Sequence, residues 1–295
     1  MSCGGDEPSG WHWWPSDATI ASTDIAYWPH AIRAGVELRT ACRVREIILN
    51  EHAMASGVVY YDRDGNEHFQ GAEIVVIACN GVGTPRRMLN SISGKFPNGI
   101  ANSSGLVGKN LMLHPNGHAY GCVDDPMDNR GPPLCLTSQE FYETDPSRDF
   151  VRGYTLQFGL GLPSILETIV LTANGRLPWG EDHHRLYRQM MGHRICISVI
   201  CEDLPEEHNR VTLDPVLRDS NGIPAPRVDY TLGQNSRKML AYGVACAKEI
   251  LAAAGARDVA CEVPLLNAGS NLLGTARMGP DPERSVVNEW GDVTT

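Results

Sequence analysis

Several patterns that mark particular classes of protein are scarce or missing in this sequence. The 295 residues include 25 Lys and Arg against 35 Asp and Glu, which gives a net charge of -10, and the basic residues form no cluster. Such a chain is not built to bind nucleic acid or an anionic membrane surface. The longest apolar run, 74–79, is far too short to span a bilayer. The first thirty residues contain neither Lys or Arg nor an apolar stretch, so we expect no secretory leader.

Metal and disulfide frameworks are also missing. Nine cysteines are scattered without a C-x-x-C pair, which excludes a zinc ribbon and predicts a reducing, cytoplasmic setting. Asp182, His183, His184 and His193 lack the spacing of a metal-binding motif, and the acidic run at 202–207 lacks that of a calcium loop. No metal site is therefore expected. No nucleophile-elbow pattern supports hydrolase chemistry.

The composition indicates a globular chain with a sizeable core, since 42% of the residues are hydrophobic and 20% charged. The sequence MASGVVYYDRDGNEHFQG predicts a β-hairpin that turns at Asp64 and Gly65. The run AEIVVIAC predicts a strand buried on both faces, as in a parallel sheet. A helix should follow, capped by Thr84 with Pro85 in its first turn. This places 78–80 at the carboxyl end of a strand, where ligands bind in α/β proteins.

The remaining chain predicts an irregular start, a sheet-rich middle and one long helix. Residues 1–20 have no regular period, and HNRVTLDP reads as a strand between turn formers. Asn235 and Ser236 offer a cap for a helix that stops at Gly255. Its apolar stripe comprises Met239, Leu240, Val244, Ile250 and Leu251.

Four segments together resemble the glucose-methanol-choline (GMC) flavoprotein family, particularly its bacterial choline-dehydrogenase-like members. They are ASTDIAYWP at 21–29, VVIACNGVGTPRRMLNS at 75–91, SSGLVGKNLMLHP at 103–115 and NLLGTARMGPDPERSVVN at 271–288. The resemblance implies an α/β (α+β) fold, in which part of a Rossmann-like FAD-binding domain is interleaved with an antiparallel-sheet substrate domain. It implies FAD-binding parts at 21–114 and 266–295, a substrate domain at 115–265, and hydride transfer from an alcohol carbon to flavin.

The resemblance also implies which residues contact the cofactor. Small residues at the end of a strand allow the close backbone approach that a dinucleotide requires. By residue type alone, Val44 and Ala78 favour ordinary core packing, and a lone His beside Pro is commonly structural, so only the resemblance points to the cofactor. The implied FAD contacts are Val44, Ala78, Cys79, Asn80, Thr84 and His114.

Asn271 stands where the family has its catalytic histidine. Oxidation of an alcohol needs a group that removes the hydroxyl proton, which imidazole does and an amide cannot. Asn271 is predicted either to hydrogen-bond the substrate hydroxyl or only to order a loop. His118 or His208 can replace the base only if the fold brings one of them near.

Two family elements are absent from the sequence. No strand is followed by G-x-G-x-x-G, and nothing after SVVNEWGDV carries the second active-site residue of the family. The first hypothesis is an FAD-dependent oxidoreductase for CH-OH groups of an alcohol, sugar or polyol, with an unidentified electron acceptor. The second is an inactive fragment or subunit, incomplete at both ends, that binds a ligand or a partner chain or self-associates.

Overall fold

The computed structural model describes residues 22–127, 134–159, 164–173, 175–190, 192–264, 269 and 271–293. The described residues within 1–38, 115–202 and 234–268 form one compact unit, the sheet unit. Those within 39–114, 203–233 and 269–295 form a second, the hairpin unit. The predicted substrate domain of 115–265 included residues 203–233, which group with the hairpin unit instead. The irregular start predicted at 1–20 lies outside the described residues.

The sheet unit contains a five-stranded antiparallel sheet. Its strands are β4 (Asn116–Cys122), β5 (Leu134–Ser138), β6 (Tyr154–Gly159), β7 (Arg194–Cys201) and β10 (Arg257–Glu262). They lie side by side in the order β10-β4-β7-β6-β5. The described helices of the unit are α1 (Thr23–Ala26), α2 (Trp28–Arg33), α4 (Ser164–Ala173), α5 (His183–Met190) and α6 (Gln234–Ala253).

Helix α6 packs against one face of this sheet. Met239, Leu240, Val244 and Leu251 of the predicted stripe are buried, which confirms the one-sided pattern. Small residues on β4 leave room for the helix, since a Cβ at Gly117 would lie 2.9 Å from a methyl of Val244.

The hairpin unit contains two antiparallel sheets and one helix. Strands β1 (Arg43–Leu49), β2 (Ala55–Tyr61) and β3 (Glu67–Gly71) pair in sequence order, and the predicted hairpin is confirmed. Strands β8 (Arg210–Arg218) and β9 (Pro224–Asp229) form the second sheet, and β8 confirms the strand predicted at HNRVTLDP. Helix α3 (Asn80–Asn90) packs against β1, β8 and β9.

The run at 74–79 differs from its prediction as a strand buried on both faces. Val75 and Ile77 pack against the core cluster of the hairpin unit, but Ile74 and Val76 are 82% and 83% exposed. Among the described residues, no strand pairs with this segment. Alternate side chains of this segment point to opposite faces, as in a strand. The face that carries Ile74 and Val76 has no neighbour among the described residues to bury it.

None of the helices in the described ranges is both long and apolar enough to cross a membrane.

Candidate functional site

The segment 271–275 is fixed against the first turn of α3. A Cβ at Gly81 would lie 2.7 Å from the Cβ of Leu272, so glycine is needed for this close approach. The Thr275 hydroxyl donates a hydrogen bond of 2.7 Å to the carbonyl oxygen of Gly81. The amide of Gly108 donates to the carbonyl oxygen of Thr275 at 2.9 Å. Parts of three segments that carry the family resemblance therefore meet here.

Gly274 makes the second close approach in this loop. Its φ is +90°, and a Cβ would lie 1.9 Å from the carbonyl oxygen of Asn110. The preceding residue, Leu273, exchanges two backbone hydrogen bonds of 3.0 Å with Met112. The backbone of 272–275 is thus held in one conformation. This limits the positions that the preceding residue, Asn271, can occupy.

The predicted cofactor contacts Ala78, Cys79 and Asn80 are all exposed at the start of α3. Asn80 has a φ of +58°, and its side-chain oxygen accepts hydrogen bonds from the amides of residues 82 and 83 at 2.9 and 3.2 Å. Thr84 was expected to cap the helix, but this was wrong because Asn80 satisfies those amides four residues earlier. The Thr84 hydroxyl instead accepts a hydrogen bond of 3.3 Å from the Cys79 amide.

The other two predicted cofactor contacts lie elsewhere in the hairpin unit. Val44 is half-buried on β1, opposite Tyr60 of β2. His114 is half-buried and follows Leu113, whose amide donates to the carboxylate of Asp203 at 3.2 Å. Strand β1 packs against α3, which links Val44 to the helix that begins at Asn80.

Asn271 is exposed, and its successor Leu272 contacts Gly81. Its amide can donate and accept hydrogen bonds but cannot take a proton near neutral pH. His208 lies exposed on the hairpin unit, 3.5 Å from Glu206, whereas His118 lies on β4 of the sheet unit. At the position of the family's catalytic histidine, the hairpin unit therefore presents the side-chain amide of Asn271.

The five-stranded sheet has a polar face that no functional sequence motif marks. Asn116, His118 and Tyr120 alternate with Gly117, Ala119 and Gly121, which are buried on the α6 side. Antiparallel partners share a face, so Ser198 and Cys196, which oppose His118 and Tyr120, belong to this surface. The period of two in NGHAYGC, with small residues at every second position, was the signal that could have predicted it.

His118 and Tyr120 on this polar face are neutral near pH 7, and the Tyr120 hydroxyl lies 3.5 Å from the Glu262 carboxylate. Burial lowers the pKa of His118 below its usual 6.5, although Glu262 opposes the shift, and burial raises the pKa of the Tyr120 hydroxyl. His118 Nδ1 and the Tyr120 hydroxyl are hydrogen-bonded at 2.9 Å. The side-chain oxygen of Asn116 is buried and accepts no hydrogen bond from the described residues. Such a surface can exchange hydrogen bonds with hydroxyl groups.

Among the described residues, no group of three or more His, Cys, Asp and Glu side chains is arranged to hold a metal ion.

The chain is similar in sequence to several known dehydrogenases and oxidases. The chain is 36% identical over 315 aligned positions to 2-methyl-1,2-propanediol dehydrogenase of Mycolicibacterium austroafricanum, covering 95% of this chain and 56% of that protein. It is 29% identical to the fructose dehydrogenase large subunit of Gluconobacter japonicus, covering 80% and 43%. It is also 29% identical to paromamine 6'-oxidase of Streptomyces fradiae, covering 90% and 47%. The chain thus spans about half the length of these relatives.

A solved structure and two family models also match the chain. A crystal structure of formate oxidase superposes with a TM-score of 0.57 at 17% identity, covering 85% of this chain and 53% of the other, and supports the fold. Two GMC oxidoreductase models, for the amino-terminal and carboxy-terminal parts of the family, match residues 3–116 and 205–295. Together they cover more than half of the sequence, and the chain belongs to the GMC oxidoreductase family.

Proposed function

We propose that this chain supplies part of an FAD-dependent oxidoreductase that acts on the CH-OH group of an alcohol, sugar or polyol. The observation that carries the proposal is the anchoring of 271–275 on the start of α3, beside the exposed residues Ala78, Cys79 and Asn80. Small residues and a helix start suit the approach of a dinucleotide. The named relatives act on a diol, fructose and paromamine. An unidentified acceptor takes the electrons, and the free thiols among the described cysteines suit a reducing, cytoplasmic setting.

The residues fit one part of a flavin dinucleotide site. The exposed turn at Ala78–Asn80 would hold the adenosine portion, with Val44, Thr84 and His114 as further contacts, whereas a glycine-rich pyrophosphate loop is missing from the sequence. When bound, FAD supplies a hydride acceptor. Asn271 then orients the substrate hydroxyl by a hydrogen bond, and the proton must leave to another group. The sheet unit corresponds to the substrate domain of the family.

The absorbance spectrum of the purified chain tests cofactor binding. The chain is incubated with FAD and passed through gel filtration, and retained flavin absorbance is expected. Replacing exposed Ala78 by Trp should reduce the retained flavin, because the ring occupies the space assigned to the adenosine. The matched variant Ala252→Trp, at an exposed site on α6, should retain as much flavin as the parent. A colourless parent protein would refute cofactor binding by this chain.

The unpaired segment at 74–78 favours a second candidate function, that of a subunit for a partner chain. Its backbone groups have no hydrogen-bond partner among the described residues, and Ile74 and Val76 are exposed. A parallel strand beside it would satisfy both features, since apolar residues on two faces are typical of parallel sheets.

Co-expression tests this second candidate. The bait is tagged chain, and the prey is the portion of 2-methyl-1,2-propanediol dehydrogenase that the alignment does not span. Co-purification that is lost in Val76→Lys supports strand pairing. Failure of the two polypeptides to associate, or association unaffected by Val76→Lys, would refute it.

A further inference from the structure

The first strand of the hairpin unit carries a β-bulge beside one of the predicted cofactor contacts. The pairing of β1 with β2 shifts register between Val44 and Glu46, so Arg45 has no partner on β2. A bulge of this kind bends its strand and disrupts the regular ladder of hydrogen bonds. The backbone next to Val44 therefore depends on contacts other than those of the sheet.

The end of α3 supplies such contacts. The Arg45 carbonyl oxygen accepts two hydrogen bonds, one of 2.6 Å from the Arg87 guanidinium and one of 2.9 Å from the Asn90 side-chain amide. The Ser91 hydroxyl accepts a third, of 2.9 Å, from the backbone amide of Ile47. Three neighbouring side chains at one helix end thus hold the bulge in place.

Arg87 is a costly residue for this role. Among the described residues, its buried Nε has no hydrogen-bond partner and its guanidinium forms no ion pair. Burial lowers the pKa of Arg87, although the Cys79 thiol opposes the shift. A neutral donor could hold a carbonyl oxygen without this cost. The charged donor is accounted for if the exact position of the Arg45 carbonyl serves binding as well as the fold.

Helix α3 also carries predicted cofactor contacts at its start. It begins at Asn80, directly after Ala78 and Cys79, and its other end holds the Arg45 carbonyl. The apolar side chain of Val44 leaves only its backbone groups for hydrogen-bonding an adenine ring. The helix therefore links the two segments assigned to the adenosine portion.

We propose that Arg87 and Asn90 are positioning residues for the adenosine portion of the flavin dinucleotide, because they hold the Arg45 carbonyl and with it the backbone of Val44. The inference rests on the proposed flavin binding and adds the residues that shape one of its contacts. Neither residue is assigned a contact with the cofactor itself, since each acts through the bulge. Loss of either donor should weaken binding of the adenosine half and leave the flavin half unaffected.

Calorimetric titration of the purified full chain with AMP and with FMN tests the proposal. The two probes are the halves of FAD, and each carries one phosphate group. The parent chain should bind AMP about tenfold or more tightly than FMN, because the exposed turn and Val44 both belong to the adenosine portion. Arg87→Met should weaken AMP binding about tenfold and Asn90→Leu about threefold, since a charged donor makes the stronger hydrogen bond. FMN binding should not change in either variant.

Further variants separate positioning from general stability. Arg87→Lys keeps a charged donor, so its AMP affinity should lie between those of the parent and Arg87→Met. The melting temperature of Arg87→Met should stay close to that of the parent, because removal of a half-buried charge offsets the lost hydrogen bond. The matched control is Arg148→Met, which should keep the parent's AMP affinity. Arg148 also donates to backbone carbonyl oxygens, those of Phe141 and Glu143, but belongs to the sheet unit.

The outcomes distinguish this inference from the flavin function. AMP binding that is absent, no tighter than FMN binding, unchanged in Arg87→Met, or equally weakened in Arg148→Met would overturn the inference. FAD retention is measured on the same preparations. FAD retained equally by the parent and Arg87→Met refutes the positioning role alone, whereas AMP binding that depends on Arg87 in a chain that retains no FAD refutes the flavin function alone.

Discussion

At the scale of single residues, Gly274 allows the segment 271–275 to pack closely against Asn110. Gly274 and Gly291 have nearly the same φ, +90° and +88°, but a Cβ at Gly274 would lie 1.9 Å from the Asn110 carbonyl oxygen, while nothing lies within 4 Å at Gly291. The pair separates backbone strain from steric overlap.

Gly274→Ala is expected to lower the free energy of unfolding by about 3 kcal/mol, since overlap adds to the strain of a positive φ. Gly291→Ala should cost about 1 kcal/mol, because only the strain remains. Urea denaturation followed by circular dichroism measures both. Equal effects of the two variants would show that the approach of Asn110 does not constrain the loop.

Asp62 stabilises the hairpin of β2 and β3 as a carboxylate. Its hydrogen bond with His68, followed by those from Asn66 and the amide of Asp64, lowers its pKa from 3.8 to about 2. A lowered folded-state pKa means that the stabilisation is complete above 3.8 and is lost as the pH falls through about 2.

Carboxyl-carbon NMR titration should therefore give Asp62 a midpoint well below that of an ordinary aspartate. His68→Gln should return the midpoint towards 3.8, because it removes the largest cause of the shift. A midpoint that is the same with and without His68 would contradict the assignment.

At the scale of elements, α6 depends on a close contact with β7. A Cβ at Gly243 would lie 2.5 Å from a methyl of Val199 and 3.1 Å from the Tyr154 ring. Both neighbours are fully buried, so they have little room to move. Glycine in a helix normally costs stability, and this contact explains its use here.

Gly243→Ala should destabilise the chain by about 1 kcal/mol, because overpacking of about 2 kcal/mol exceeds a helix-propensity gain of about 1 kcal/mol. At exposed Ala245, the reverse change Ala245→Gly should also destabilise by about 1 kcal/mol, through propensity alone. Adding Val199→Ala to Gly243→Ala should recover part of the loss. A more stable Gly243→Ala variant would exclude the contact.

Elements with local signals were predictable, and those that depend on distant partners were not. Helix α6 and the hairpin turning at Asp64 carry their periodicity and turn residues within a short stretch of chain. The run at 74–79 has the residues of a buried strand, yet burial and pairing depend on neighbours that the pattern cannot show.

The candidate site follows the same division. The position of Ala78–Asn80 was predictable, but the contact of the following residue, Gly81, with Leu272 joins chain segments almost two hundred residues apart. Helix α3 begins at Asn80, earlier than predicted. The Asn80 side chain, on a residue with a positive φ, accepts the hydrogen bonds from amides that Thr84 was expected to cap. The polar face around His118 and Tyr120 had a sequence signal of period two, which motif reading overlooked.

At the scale of the whole molecule, the segment 74–78 is the feature that we expect to promote association with other chains. Ile74 and Val76 are 82% and 83% exposed, next to backbone groups unpaired within the described residues. Burying two such side chains contributes about 1.5–3 kcal/mol each. An exposed apolar edge of this kind pairs with other chains unless it is covered.

The chain alone is therefore expected to form assemblies larger than its 32.2 kDa monomer in a concentration-dependent way. Light scattering after gel filtration measures the mass. The double variant Ile74→Lys with Val76→Lys should shift the chain towards the monomer, because two charges on the edge oppose strand pairing. The matched control, Val216→Lys with Leu217→Lys, changes side chains that are 79% and 63% exposed on β8. If the control reduces the mass equally, association depends on general surface hydrophobicity and not on this edge. A monomeric parent chain would contradict the predicted association.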